Sequence, residues 1–223
     1  GSSFESDLGT VTYFQNGKII IKGNPAILKI NLDNYNKVVK SYPEIINYTV
    51  KNMTLKDDTL MCNVYTYIRL GTELYWPQVH INWLISRLLE FNGYLEIVNK
   101  YFNGLNPKTL MVLPKTHGIA MFNFIHLTEI PNAPKTAPGE FINWYKNKAS
   151  TRLLNLELVA KTIIYLLGDN TGIGNKLKLD KNINKDILNF LLNIKDNKIT
   201  ITYFEYKELL NSIYEKKFHP FNV

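Results

Sequence analysis

Thr10-Val-Thr-Tyr-Phe-Gln15-Asn16-Gly17-Lys18-Ile-Ile-Ile-Lys22 predicts a β-hairpin close to the start of the chain. The residues on each side of Asn16-Gly17 are mostly β-branched or aromatic, and such residues favour strands. Asn-Gly suits a two-residue hairpin turn because both residues accept positive φ angles. We therefore expect two paired strands, Thr10–Gln15 and Lys18–Lys22.

Two further stretches predict strands. Ile27–Leu32 is rich in Ile and Leu, and Met61–Leu70 alternates apolar and polar residues in the manner of a strand with one buried face. Leu110–Leu113 and Ala120–Leu127 are short apolar segments. Three prolines, Pro131, Pro134 and Pro138, indicate a loop between residues 130 and 139, because proline interrupts regular helix.

Helical periodicity characterises much of the rest of the chain. In the segment 77–101, Pro77 suits a first helical turn, and Ile81, Leu84 and Leu88 form an apolar stripe. Further helices are predicted over residues 33–50, 139–148, 152–168, 183–194 and 203–217.

These elements predict a mainly α protein: a two-lobed helical core with a small N-terminal β-hairpin and flexible terminal arms. The predicted divisions are an N-terminal arm over 1–15, an N-terminal lobe over 16–108, a C-terminal helical lobe over 109–211 and a C-terminal arm over 212–223. Gly1-Ser2-Ser3 has the composition of residues left by an expression tag.

The 223-residue chain is basic, with a formal net charge of +7. A positive balance favours a polyanionic partner, nucleic acid before membrane, although codon bias toward Lys, Asn and Ile is an alternative explanation. Residues 144–185 hold 8 basic and 3 acidic side chains. The single Cys62 excludes an intramolecular disulfide and fits a reducing compartment. No signal-peptide pattern or membrane-length apolar run is found, so we expect no membrane partner.

His80, Trp83 and Arg87 are spaced to share one side of the predicted helix 77–101. An exposed ring beside a guanidinium suits single-stranded RNA, because the ring stacks on a base while the cation pairs with phosphate. The alternative is that Trp83 packs in the core and Arg87 pairs with Glu90.

Other cations and aromatic residues extend this hypothesis. Arg69 precedes a glycine, an arrangement that lets backbone amides approach a phosphate. Two more clusters mix basic side chains with aromatic or imidazole rings. The complete predicted RNA-binding set is Arg69, His80, Trp83, Arg87, Lys115, His117, Tyr145, Lys146, Lys148 and Arg152.

Enzyme signatures are scarce. The sequence has no phosphate-loop lysine motif, no H-E-x-x-H and no G-x-S-x-G, and its histidines lack metal-ligand spacing. We therefore predict a protein that is not an enzyme, with no catalytic residues, no metal and no cofactor.

The opening F-x-x-D-x-G-x-V-x-Y-F, residues 4–14, is similar to the F-x-x-x-x-G-Y-V-x-F start of orthobunyavirus nucleoproteins. Further resemblances follow in the family's order, although the family's F-P-G-N-R-N string is missing. They are Ile68-Arg69-Leu70-Gly71-Thr72, the helix with His80, Leu84 and Arg87, the stretch Leu113-Pro114 to Met121-Phe122-Asn123-Phe124, and the tail Tyr214-Glu215-Lys216-Lys217-Phe218.

The resemblance implies a nucleoprotein that encapsidates single-stranded viral RNA in a basic cleft between two lobes. It implies oligomerisation through the terminal arms into a tetramer or a larger ring or helix, contact with the viral polymerase, and a location in the virion and host cytoplasm. The implied oligomerisation residues are Phe4, Val11, Phe14, Phe218 and Phe221.

Two other classes stay open. One is a viral or mobile-element protein-interaction or regulatory module without RNA binding, whose charge reflects composition alone. The other is a nuclease or another phosphoryl-transfer enzyme with a degenerate site, although no suitably spaced acidic cluster is visible.

Overall fold

The computed structural model describes residues 1–73, 76–146 and 151–218, with side chains up to Ile213. Ten strands, five α-helices and four short 3-10 helices lie in these ranges. The strands are β1 (Ser2–Ser6), β2 (Gly9–Tyr13), β3 (Lys18–Lys22), β4 (Lys51–Lys56), β5 (Thr59–Asn63), β6 (Arg69–Leu70), β7 (Tyr101–Phe102), β8 (Met111–Leu113), β9 (Gly118–Ile119) and β10 (Leu127–Thr128). The α-helices are α1 (Pro25–Ser41), α2 (Gln78–Ile97), α3 (Arg152–Leu166), α4 (Lys185–Leu192) and α5 (Ile199–Phe218). Among the described residues, no helix combines the length and apolar character needed to cross a bilayer.

The N-terminal part is a five-stranded antiparallel sheet in the order β1-β2-β3-β5-β4. The predicted hairpin is confirmed, with Val11 opposite Ile21 and Tyr13 opposite Ile19. All four of these side chains are buried, so they form the apolar face of the sheet. The turn glycine Gly17 has φ +90°, which agrees with the Asn-Gly signal.

Residues 27–32, predicted as a strand, lie instead in helix α1. Asn24 caps this helix, and its side chain accepts hydrogen bonds from the backbone amides of Ala26 and Ile27. Pro25 occupies the first turn, where its missing N–H has no cost. The start signal thus overrides the β-propensity of the apolar residues that follow.

The predicted strand over 61–70 is partly right. β5 ends at Asn63, and the chain then crosses a loop before the short strand β6 pairs with β8. β4 was not predicted, although it completes a hairpin with β5.

The C-terminal part is mainly helical, and the predictions for α2, α3, α4 and α5 are confirmed to within a few residues. The predicted helix over 139–148 is a 3-10 helix at Gly139–Trp144. α2 packs against α5, where the Tyr206 hydroxyl donates to the Asn82 carbonyl at 2.8 Å. The buried apolar side chains of the sheet and the helices form one continuous core among the described residues.

The predicted fold class is wrong. The N-terminal part is a full sheet rather than one small hairpin. Ser2–Ser6, inside the predicted N-terminal arm, is an edge strand of that sheet, and α5 runs through residues 212–218 of the predicted C-terminal arm. The predicted domain boundaries stay predictions.

Candidate functional site

The turn between β1 and β2 contacts the segment 121–126. Asp7 lies in this turn, and its Oδ1 accepts a hydrogen bond from Asn123 Nδ2 at 2.6 Å. Its Oδ2 lies 2.6 Å from His126 Nε2, and the Asp7 and His126 side chains are only 10% and 15% exposed. A carboxylate shared between two such groups out of water forms stronger hydrogen bonds than a surface pair.

Aromatic rings add a second contact between the same two segments. The ring of Phe4 on β1 meets the ring of Phe122 edge to face at 6.3 Å and that of Tyr13 at 6.2 Å. Phe122 is fully buried. We call Phe4, Asp7, Phe122, Asn123 and His126 the Asp7 cluster.

Helix α1 holds the same segment from its other side. Asn31 is fully buried, donates to the Phe122 carbonyl at 3.0 Å and accepts from the Phe124 amide at 2.5 Å. Asn34 donates to the Phe124 carbonyl at 2.9 Å. These bonds satisfy backbone groups that would otherwise be buried without partners.

Tyr35 fixes the helix from the next turn. Its hydroxyl donates to the Val50 carbonyl at 2.8 Å, and its ring meets Phe124 at 5.6 Å. Burial raises the pKa of Tyr35, so the hydroxyl stays protonated and continues to donate near neutral pH.

The loop after β7 lies beneath His126. Asn103 donates to the His126 carbonyl at 2.9 Å and to Thr128 Oγ1 at 2.7 Å. A Cβ on Gly104 would come within 2.8 Å of His126 Cδ2, so the loop approaches the imidazole as closely as glycine permits. The Asp7 cluster is therefore enclosed between the sheet and this loop.

The structure brings four of the predicted RNA-binding residues into one row. His80 Nδ1 lies 2.9 Å from His117 Nε2, and the two rings are 18° from parallel. Trp83, which is 43% exposed, stacks on His117 at 5.8 Å. Arg87 lies over the Trp83 ring at 5.6 Å and pairs with Glu90 at 2.9 Å, so this pair of the alternative is confirmed, whereas its placement of Trp83 in the core is wrong.

The other predicted RNA-binding residues are dispersed. Lys115 is exposed in the turn that carries His117, Arg69 is exposed on β6, and Arg152 begins α3 near Asp196 at 3.8 Å. Lys146 is exposed, and Lys148 lies outside the described residues.

Tyr145 is not placed to stack on a base of RNA, which is the role that the sequence predicted for it. Its side chain is 3% exposed, and its hydroxyl donates to the Leu105 carbonyl at 2.8 Å, so the ring packs in the core. Burial raises the pKa of this hydroxyl.

Two of the three predicted oligomerisation residues of the N-terminal arm, Phe4 and Val11, pack against the core of the same chain. Val11 is fully buried in the sheet, Phe4 belongs to the Asp7 cluster and Phe14 is half-buried. Val11 is therefore not accessible to a neighbour's groove, whereas the oligomerisation roles of Phe4 and Phe14 stay predictions. Phe218 ends α5 with a side chain outside the described set, and Phe221 lies outside the described residues.

The sequence did not predict the Asp7 cluster. Asp7 and His126 are 119 residues apart, and neither stands in a local pattern that links them. The one available signal was the frequency of Asn in the segments that pack here, because buried amides can satisfy a backbone that forms no regular ladder.

No family model and no curated protein match this sequence. The fold is similar to that of a solved structure of vaccinia related kinase 3, with a TM-score of 0.55 and 10% identity. The match covers 96% of this chain and 91% of that chain. The chain therefore has a protein-kinase-like fold. Its N-terminal part contains the five-stranded sheet and α1, and its C-terminal part contains α2, α3, α4 and α5.

This fold corrects the prediction that the chain is not an enzyme, since the similar structure is that of a kinase. The resemblance to orthobunyavirus nucleoproteins stays a prediction, as do the RNA, the polymerase and the virion that it implies.

In protein kinases, a glycine-rich loop and a strand β3 lysine hold the nucleotide phosphates, and H-R-D and D-F-G motifs supply the catalytic and magnesium-binding acids. This sequence contains no G-x-G-x-x-G, H-R-D or D-F-G string. In kinases the β3 lysine also pairs with a glutamate of the helix that follows. Lys22 ends β3 here, but Asp33, the sole acidic residue of α1, pairs with Lys29 instead. Among the described residues, no group of three acidic, His or Cys side chains could hold a metal. The residues present do not fit a magnesium nucleotide held as in kinases.

Proposed function

We propose that this chain is a regulatory module of kinase-like fold that acts by binding a protein partner. Its own side chains close the space between the sheet and the segment 121–126. The observation that carries the proposal is the Asp7 cluster. In a kinase, the β1–β2 loop lies over the nucleotide phosphates. Here the corresponding turn contacts Asn123 and His126 directly.

The tightness of the β1–β2 turn supports this proposal. A Cβ on Gly9, which has φ +128°, would lie 2.1 Å from the Lys22 carbonyl oxygen. Leu8 in the same turn is 2% exposed. A turn packed this closely leaves little room for phosphate groups between the sheet and the segment 121–126.

Exposed apolar side chains support a protein partner. Ile97 and Phe204 are 58% and 65% exposed, and both line one groove of about 290 Å³ between α2 and α5. Single exposed apolar residues are ordinary, but neighbouring ones around an apolar groove are typical of contact surfaces for proteins.

Nucleotide titration tests the closed cluster. We expect the melting temperature of the wild-type protein to be unchanged by Mg·ATP, since a ligand stabilises only the state that binds it. In the double variant Phe4→Ala, Asp7→Ala, loss of the ring contact with Phe122 and of the hydrogen bonds to Asn123 and His126 should lower the melting temperature itself. A clear increase in the melting temperature of the wild-type protein would contradict the closed state.

Partner binding is tested separately. The tagged protein, purified from cells that contain its partner, should keep a stoichiometric partner with or without added nucleotide. Phe204→Glu should weaken that complex, whereas Leu179→Glu, in a turn outside the groove at a site that is 92% exposed, is the matched control. A complex that both variants leave intact would count against the groove.

A further inference from the structure

The row of rings on the edge of α2 is a surface that the closed cluster does not use. His80 and Trp83 come from α2, and His117 comes from the turn between β8 and β9. His80 Nδ1 and His117 Nε2 are 2.9 Å apart, and the two imidazole rings are 5.1 Å apart and 18° from parallel. The Trp83 ring lies against His117 at 5.8 Å with the two ring planes 29° apart, so the three rings form one aromatic cluster.

Cations border this surface. Arg87 lies over the Trp83 ring, its Nη1 pairs with Glu90, and its side chain is 30% exposed. Lys115 is exposed two residues before His117. A cation against an aromatic face contributes about 0.5–1 kcal/mol at exposed sites, and a bound phosphate would gain from both positive charges.

The backbone at His117 supports a specific role for this imidazole. His117 has φ +53°, a left-handed conformation that is uncommon for residues other than glycine. Gly118 follows it directly and would adopt such a conformation more readily. The strained residue is thus the one whose ring completes the row, and such strain is concentrated at binding sites.

A cavity continues the surface past His80. It has a volume of about 310 Å³ and is lined by Trp76, Pro77, His80 and Pro114. Trp76 meets His80 edge to face at 5.6 Å. The cavity therefore adjoins the row of rings at His80.

We propose that this row binds single-stranded nucleic acid, with one base stacked beside Trp83 and His117 and the adjacent phosphates paired with Lys115 and Arg87. Stacking platforms flanked by cations bind single strands with little sequence preference, because every base has an aromatic face. The inference is independent of the Asp7 cluster and of the groove between α2 and α5.

Fluorescence anisotropy with labelled oligo(dT) and oligo(U) of about 12 nucleotides tests the proposal. Wild-type protein should bind at low salt and weaken as salt rises. Trp83→Ala should raise the Kd about tenfold or more, since one stacked base contributes about 1–3 kcal/mol. Trp83→Phe keeps a ring and should retain most of the affinity, which separates stacking from misfolding.

Lys115→Glu should weaken binding and make it less dependent on salt. The matched control is Lys37→Glu, an exposed lysine on α1. Binding of either oligonucleotide supports the proposal, and the comparison of oligo(U) with oligo(dT) shows whether RNA or DNA is preferred. Absence of binding at low salt, an equal loss in Lys37→Glu, or binding of a phosphopeptide but neither oligonucleotide would overturn it.

Discussion

Asp7 shows how much one carboxylate contributes at a boundary between two parts of the fold. Its two oxygens meet different partners, Asn123 and His126, and neither is a neighbour in sequence. A buried carboxylate with partners stabilises the contact, whereas its removal leaves the imidazole and the amide in a poorly hydrated space without an acceptor.

We expect Asp7→Ala to lower the free energy of unfolding by about 2–3 kcal/mol, because charged hydrogen bonds contribute more than neutral ones. Urea denaturation monitored by circular dichroism measures this change. The control Asp33→Ala removes the carboxylate of an exposed pair, with 69% and 50% exposure, and should change stability by less than about 1 kcal/mol. Equal effects of the two substitutions would show that Asp7 is not held as described.

At the scale of elements, prediction succeeded where the signal was local. The Asn16-Gly17 turn located the β2–β3 hairpin, and apolar periodicity located α2. It failed at Ile27–Leu32, where an apolar composition suited a strand but the Asn24 cap and Pro25 started a helix. Helix capping is also local, so this error could have been avoided from the sequence.

Gly17 tests the hairpin turn. A Cβ there would lie 2.2 Å from the Val64 carbonyl oxygen, and the φ angle of +90° is strained for other residues. Gly17→Ala should therefore destabilise the protein by more than about 1 kcal/mol.

Gly139→Ala is the matched control for Gly17→Ala. A Cβ at Gly139 meets no atom within 4 Å, so this change should be neutral or slightly stabilising. Thermal denaturation of both variants under one condition compares them, and a similar loss of stability in each would refute the close approach at Gly17.

At the scale of the whole molecule, the decisive contacts were not predictable from one sequence. Phe4 meets Phe122, and Asn31 holds the same segment from α1. Neither pairing leaves a periodic pattern, since each depends on how the sheet is placed over the helical part. The same reason explains why four predicted RNA-binding residues form a row while Tyr145 is buried.

Burial of hydroxyl and thiol groups across the fold determines how the whole protein responds to alkali. Burial raises the pKa of Cys62 from 9.0 to about 12, and burial together with a hydrogen bond to Glu73 raises the pKa of Tyr13 from 10.0 to about 12. A group whose pKa is raised by folding stabilises the folded state fully below its unfolded pKa, and that stability is lost as pH rises toward the folded pKa. The free energy of unfolding should thus fall from about pH 9 upward.

In Cys62→Ala the fall between pH 9 and 11 should be shallower, by up to a few kcal/mol, in urea titrations at each pH. Parallel curves for the wild type and this variant would mean that the thiol is not buried as described.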